Sequence, residues 1–263
     1  MRIAIVGANG RLGQALLRAF DGHHTIPWTR QDFDIQDHRR AAGAIISMRP
    51  HVVINTAAFH HTDACEDDPE KAFSVNAVAV RNIAQACHAC GAVLVQVSTD
   101  YVFDGQKGEP YEETDPPNPI NVYGVSKLAG ECFVRSVCER YYIIRTASLF
   151  GHAEGTRKRS FVEMVLDRAQ RNEPIVVVSD VVMSPTYTED AASMIRRLIE
   201  GGAPYGVYHL TNTGSCSWYA FAKAILELAK AQASLTPTNI QALAPKAARP
   251  AFSALISRAI LSA

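Results

Sequence analysis

Near-continuous apolar runs constrain this chain more than any other feature of it. RIAIVG (2–7), HVVINTAA (51–58), AVLVQVSTD (92–100) and YYIIRTASLFG (141–151) are hydrophobic on both sides of a strand's pleat. Such strands must be covered on both faces, which is the condition of a parallel sheet built from β-α-β units. The intervening segments have helical spacing: 12–20, 39–50, 68–91 and 123–138, with HTIPWT (24–29) as a further strand. Pro50 and Gly91 stop two of these helices. The expected fold is α/β, a doubly wound parallel sheet of Rossmann type.

After Gly151 the alternation loosens. Helices are expected at 160–172, 188–202 and 217–231, strands at 174–180 and 206–212, and the tail from Ser234 is weakly patterned. Residues 1–150, with about 180–204 returning to them, are expected to form the cofactor half. Residues 151–179 and 205–263 are expected to form a smaller substrate lobe. Lys plus Arg and Asp plus Glu are 26 each, so no charge excess points to nucleic acid or an anionic membrane. The N-terminal run is too short for a signal peptide and no apolar run reaches spanning length, so a cytoplasmic protein is expected. The six cysteines are scattered, and Cys87-His-Ala-Cys90 lacks the second pair a structural zinc site needs. They read as small buried hydrophobes.

GANGRLG (7–13) joins the first strand to the first helix. Its three glycines, Gly7, Gly10 and Gly13, with Asn9, Arg11 and Leu12 between them, suit a loop whose N–H groups bind phosphate at a helix N-terminus. An acid at the tip of the second strand would favour NAD, and an arginine NADP. Thr29-Arg30 stands there, with Asp32 and Asp34 close by, so NADPH is expected ahead of NADH.

NVYGVSKLAGE (121–131) sets Tyr123 and Lys127 four apart, on one face of a helix. A phenol normally titrates near pH 10, and a neighbouring ammonium lowers that value, so the pair is suited to proton transfer. Thr99 ends an apolar strand at the carboxyl edge, where parallel sheets bind ligands.

Gly7-x-x-Gly10-x-x-Gly13 with Tyr123-x-x-x-Lys127 resembles the extended short-chain dehydrogenase/reductases. VSTDYVFDG (97–105), NVYGVSKLAGE, IRTASLFG (144–151), SPTYTEDAA (184–192) and ARPAFSALIS (248–257) resemble the dTDP-4-dehydrorhamnose reductases among them. The resemblance implies reduction of the 4-keto group of a dTDP-6-deoxy-4-ketohexose by a nicotinamide cofactor. It implies Tyr123 as proton donor, Lys127 on the nicotinamide ribose and Thr99 on the substrate carbonyl. It marks Gly10, Arg11 and Leu12 at the pyrophosphate, Asp34 and Ile35 beside the adenine, and Ala57, Ala58 and Phe59 at the nicotinamide. Asp100, His60, Ser148 and Arg249 are the remaining residues expected at the sugar nucleotide.

Three departures from the family bear on the substrate. Phe59-His60-His61-Thr62 follows Ala58, where an aromatic or His and then Thr is usual. Ser148 stands where a sugar-stacking Trp is common, and the sequence after ARPAFSALIS is short, so a trimmed substrate lobe is expected. His60, His61 and Asp63 are read as a loop facing the substrate, with no metal. Two other readings stay open: a cofactor-recycling epimerase or dehydratase, and a non-catalytic subunit like the β subunit of methionine adenosyltransferase. A second copy of the chain is a candidate partner.

Overall fold

The structure, a computed structural model, describes residues 1–155 and 159–258. The first half alternates as the sequence predicts: β1 (Arg2–Val6), α1 (Arg11–Ala19), β2 (His24–Trp28), α2 (His38–Met48) and β3 (Val52–Asn55). Then come α3 (Thr62–Asp67), α4 (Pro69–Phe73), a π-helical turn (Ser74–Val78), α5 (Ala79–Cys90), β4 (Val93–Thr99), α6 (Val122–Val137) and β5 (Tyr141–Thr146). The second half contains β6 (Leu149–Phe150), α7 (Phe161–Gln170), β7 (Ile175–Val178), β8 (Val182–Met183), β9 (Thr186–Tyr187) and α8 (Thr188–Glu200). It closes with β10 (Gly206–His209), β11 (Cys216–Ser217), α9 (Trp218–Leu228), β12 (Leu235–Thr238) and α10 (Ile240–Leu243).

Six strands form one parallel sheet in the order β10-β5-β4-β3-β1-β2. Each strand feeds side chains to both faces, and two separate cores result. On one face Val53 and Leu94 pack with Ile45 of α2, Ile83 of α5 and Val134 of α6. On the other, Ile54 and Val95 pack with Leu16 of α1 and Ile195 of α8. This is the doubly wound layering expected of the apolar runs. The chain runs outward from β1 to β2, then crosses back to β3, so the winding reverses between β1 and β3. Ligands of open parallel sheets bind at such a reversal, beyond the carboxyl ends of the strands.

Three expectations need adjustment. Gly206–His209, expected in the lobe, is the sixth strand of the main sheet, where Tyr208 and Leu210 join the second core. The expected strand 141–151 breaks at Ser148, which has φ 47° and turns the chain from β5 into β6. The expected single helix 68–91 is three pieces, with the π turn in the middle. The lobe itself has its own small core, where Val165 and Ala169 of α7 meet Ile225 of α9 and Val177 of β7. β7 pairs with β12 from the weakly patterned tail, outside the main sheet.

Candidate active site

The glycine loop is shaped by close approach. Gly7 has φ 82°, and a β-carbon there would meet Thr56 Oγ1 at 2.6 Å. A β-carbon on Gly13 would collide with the Gly7 carbonyl and with Ala8, so α1 rests directly on the loop. Gly10 caps α1 without a side-chain hydrogen bond, and no acidic residue stands in the first turn. Its first N–H groups therefore face the edge of the sheet, a setting suited to an anion. Leu12 and Ile35 are buried, one in each core, so only their backbones can serve a ligand. Asn9 is exposed and its carbonyl accepts from Gln14.

Arg11, expected at the pyrophosphate, pairs with Glu163 of α7 at 2.6 Å. At the tip of β2, Asp32 turns back to accept from the Thr29 N–H and hydroxyl, at 2.7 and 2.9 Å. Asp34 accepts from the Gln36 N–H. Both acids are thus spent on local turns, and Arg30 stands exposed beside them.

Beyond β3, Ala57 and Ala58 are half-buried and followed by Phe59. Phe59 is clasped by Asn76 of the π turn, which accepts from its N–H and donates to its carbonyl, both at 2.9 Å. The same Asn76 amide also donates to Ser126 on α6. Sequence reasoning passed over Asn76; the only signal was a buried polar residue in an apolar helix, and π turns frequently mark functional sites.

The catalytic candidates come together at the carboxyl end of β4. Asn121 caps α6 by accepting from the Gly124 N–H at 2.8 Å. Gly124 lets the helix close, since a β-carbon there would strike the Tyr101 carbonyl. Tyr123 is half-buried, edge-on to Tyr101 with ring centroids 6.0 Å apart. Burial pushes its phenol well above the ordinary value, against a hydrogen bond with Thr99 that pulls down. Lys127 is buried and donates to the Val97 carbonyl at 2.7 Å. Burial pulls its ammonium down to about 8. The expected lowering of the phenol by Lys127 is therefore not what dominates; desolvation does.

Thr99 Oγ1 donates to Asp100 at 3.0 Å and accepts from the Tyr101 N–H at 3.2 Å. A hydroxyl has one proton, so it serves either Asp100 or the Tyr123 side. Asp100, expected at the substrate, is instead interior: its second oxygen accepts from Ser253 at 2.6 Å, and burial pushes its carboxyl up to about 6.

The remaining candidates ring this edge. Arg249 donates to Asp63 at 2.9 Å, while its Nη1 is buried with no partner. The Ala247 N–H and then Arg249 hold the Asp63 carboxyl below its usual range, so the charge of the His60-His61-Thr62-Asp63 run is committed to the tail. His60 is exposed, and Ser148 is half-buried with its carbonyl accepting from Thr186. An open cleft of about 620 Å³ lies past Ser148, lined by Phe150, Tyr187, Asn212 and Cys216. Among the described residues no group of three His, Cys, Asp or Glu could hold a metal ion, and no helix is long and apolar enough to cross a membrane.

Comparison with known proteins agrees with this fold. The RmlD substrate binding domain matches residues 1–263. The dTDP-4-dehydrorhamnose reductase of Streptomyces griseus is 40% identical, over 97% of this chain and 85% of its own length. The spore coat polysaccharide biosynthesis protein SpsK of Bacillus subtilis is 37% identical, over 98% of this chain and 90% of its own. The dTDP-4-dehydrorhamnose reductase of Bacillus anthracis, solved in complex with NADP, superposes with a TM-score of 0.94 at 37% identity, covering 99% of this chain and 92% of that one.

Proposed function

The chain belongs to the RmlD substrate binding domain family, and from that premise we propose that it is an NADPH-dependent oxidoreductase. Its substrate is a nucleotide-activated 6-deoxy-4-ketohexose, dTDP-4-dehydro-L-rhamnose, and its product dTDP-L-rhamnose. The observation that carries the reading is the meeting of Thr99, Tyr123 and Lys127 at the same sheet edge as a glycine loop too tight for side chains.

That loop fits a dinucleotide. Close backbone approach is enforced at Gly7 and Gly13, and the uncapped start of α1 suits a diphosphate. Arg30, exposed while Asp32 and Asp34 cap their own turns, favours the extra phosphate of NADPH over NADH. The NADP complex of the Bacillus anthracis relative supports the same preference.

When bound, the nicotinamide cofactor supplies the hydride. Hydride addition to the carbonyl carbon leaves charge on the oxygen, and that oxygen must take up one proton. Tyr123 is suited to give it, because burial keeps the phenol protonated until the charge appears. Lys127, fixed by the Val97 carbonyl, supplies an ammonium on the ribose side that steadies the resulting phenolate. Thr99 contributes a second hydroxyl to the carbonyl oxygen when its proton turns away from Asp100. Arg249, oriented by Asp63, has an Nη1 left to meet the substrate diphosphate.

The test follows NADPH oxidation by absorbance with dTDP-4-dehydro-L-rhamnose generated in situ. Tyr123→Phe should lower kcat by about 10²–10⁴-fold, the range for loss of a general acid, and leave NADPH binding intact. Equal turnover by the variant would remove Tyr123 from the chemistry.

A further inference from the structure

Tyr123, Lys127 and Glu131 stand four residues apart on α6 and share one stripe of the helix. The stripe faces β4, whose residues hold it, while Gly130 brings α6 close to the π turn, because a β-carbon there would strike the Asn76 carbonyl. Lys127 is 4% exposed and Glu131 1%. Successive residues of β4 hold the two: Val97 accepts from Lys127 at 2.7 Å, and the Ser98 hydroxyl donates to Glu131. From β5, Arg145, itself 2% exposed, donates through Nη2 to Glu131 Oε2 at 2.8 Å and through Nε to Oε1 at 3.1 Å. A charge this deeply buried is sustained only by a partner. Glu131 pairs directly with Arg145 at 2.8 Å and stands one helical turn from Lys127 on the same buried stripe.

We infer that Glu131 is the counter-charge of Lys127 as well as of Arg145, a positioning residue that keeps the ammonium protonated inside the protein. Arg145 holds the carboxylate, and the carboxylate holds the charge on Lys127. Burial draws that ammonium down, and the Glu131 charge is the influence that opposes it. The other titratable groups around this end of α6 include Tyr123 on the helix itself, Asp100 and Tyr101 from the turn after β4, and Cys65 and Glu66 from α3, Glu66 accepting from the Val122 N–H at 2.9 Å. Of these, Asp100, Cys65 and Tyr101 act on Tyr123, where all raise the phenol. The inference rests on reading Lys127 as the residue beside the nicotinamide ribose.

The test titrates the Lys127 side chain directly, by NMR of protein labelled with 13C-lysine, its Cε signal assigned by its loss in Lys127→Arg. Glu131→Gln keeps the side-chain shape and a partner for Ser98 while removing the charge. The pair Glu131→Gln with Arg145→Met removes the charge without stranding the guanidinium, and decides the matter if the single variant does not fold. The Lys127 midpoint should fall by about one pH unit or more, and NADPH affinity at pH 8, read by fluorescence, by up to about tenfold. An unmoved midpoint overturns the inference. A shifted midpoint without turnover of the keto-sugar would strike the proposed substrate and leave the counter-charge standing.

Discussion

Asp100 accepts from Thr99 through one oxygen and from Ser253 through the other, and it does so in the interior. Its carboxyl titrates at about 6 when folded, against 3.8 ordinarily, because burial disfavours the charge. Between those values the folded chain holds a proton that the unfolded chain has released. The stability this group contributes is therefore complete below about pH 4 and is lost as pH rises through about 6, a change of roughly 3 kcal/mol. Urea unfolding across that window should have a downward slope from this group that Asp100→Asn lacks; parallel curves for the two proteins would contradict it. Arg30 carries a second expectation at this scale. Arg30→Ala should weaken NADPH binding about tenfold and leave NADH unchanged, and equal losses for both would remove its link to the extra phosphate. That Tyr123 and Lys127 share one face of α6 was legible in the sequence because it lies in local spacing, and Thr99 was placed at the carboxyl edge by the apolar strand it ends. Glu131 stood in the same stretch, yet its use depends on Arg145, which only the pairing of β4 with β5 brings near. The interior place of Asp100 was hidden for the same reason: Ser253 is 153 positions away.

Among the elements, α6 is the one whose placement decides the site. It closes on the turn after β4 through Gly124 and on the π turn through Gly130, and both contacts are with backbone that has no room to yield. Gly124→Ala should therefore push the start of α6 outward, costing about 1–3 kcal/mol in chemical denaturation and lowering kcat more than it raises KM. An alanine variant with unchanged kcat would mean that the helix tolerates the shift. The strands of the first half were readable because continuous apolar runs have one use in a parallel sheet. The break at Ser148 was not, since a left-handed residue is usually announced by Gly or Asn and here is a serine. The π turn was hidden for a related reason: its residues keep helical spacing, and only the clasp of Asn76 on Phe59 reveals the irregularity.

Taken as a whole, the molecule is a sheet with a lobe fastened over one edge. Arg11 of the glycine loop reaches Glu163, the residue that also completes the capping box of α7. Gln14 of α1 meanwhile exchanges two hydrogen bonds with the backbone of Glu154. Glu163→Gln should loosen the lobe at a cost of about 1 kcal/mol, raising KM for the keto-sugar about fivefold with kcat kept. A fall in kcat with KM fixed would assign the pair to the chemistry instead. The strand of β10 was read from the sequence but assigned to the lobe, because a strand that completes a sheet from far along the chain looks like any strand of a lobe. The tail from 247 to 257 returns to Asp63, Asp100, Tyr111 and Ser184. That return has a consequence for the order in which the protein comes into being. A ribosome adding about 5–20 residues per second needs roughly 8–30 s to travel from Asp100 to Ser253. Through that interval the nascent chain carries Asp100 without the second of its two side-chain donors, and this sheet edge becomes complete only as translation of the tail delivers Ser253.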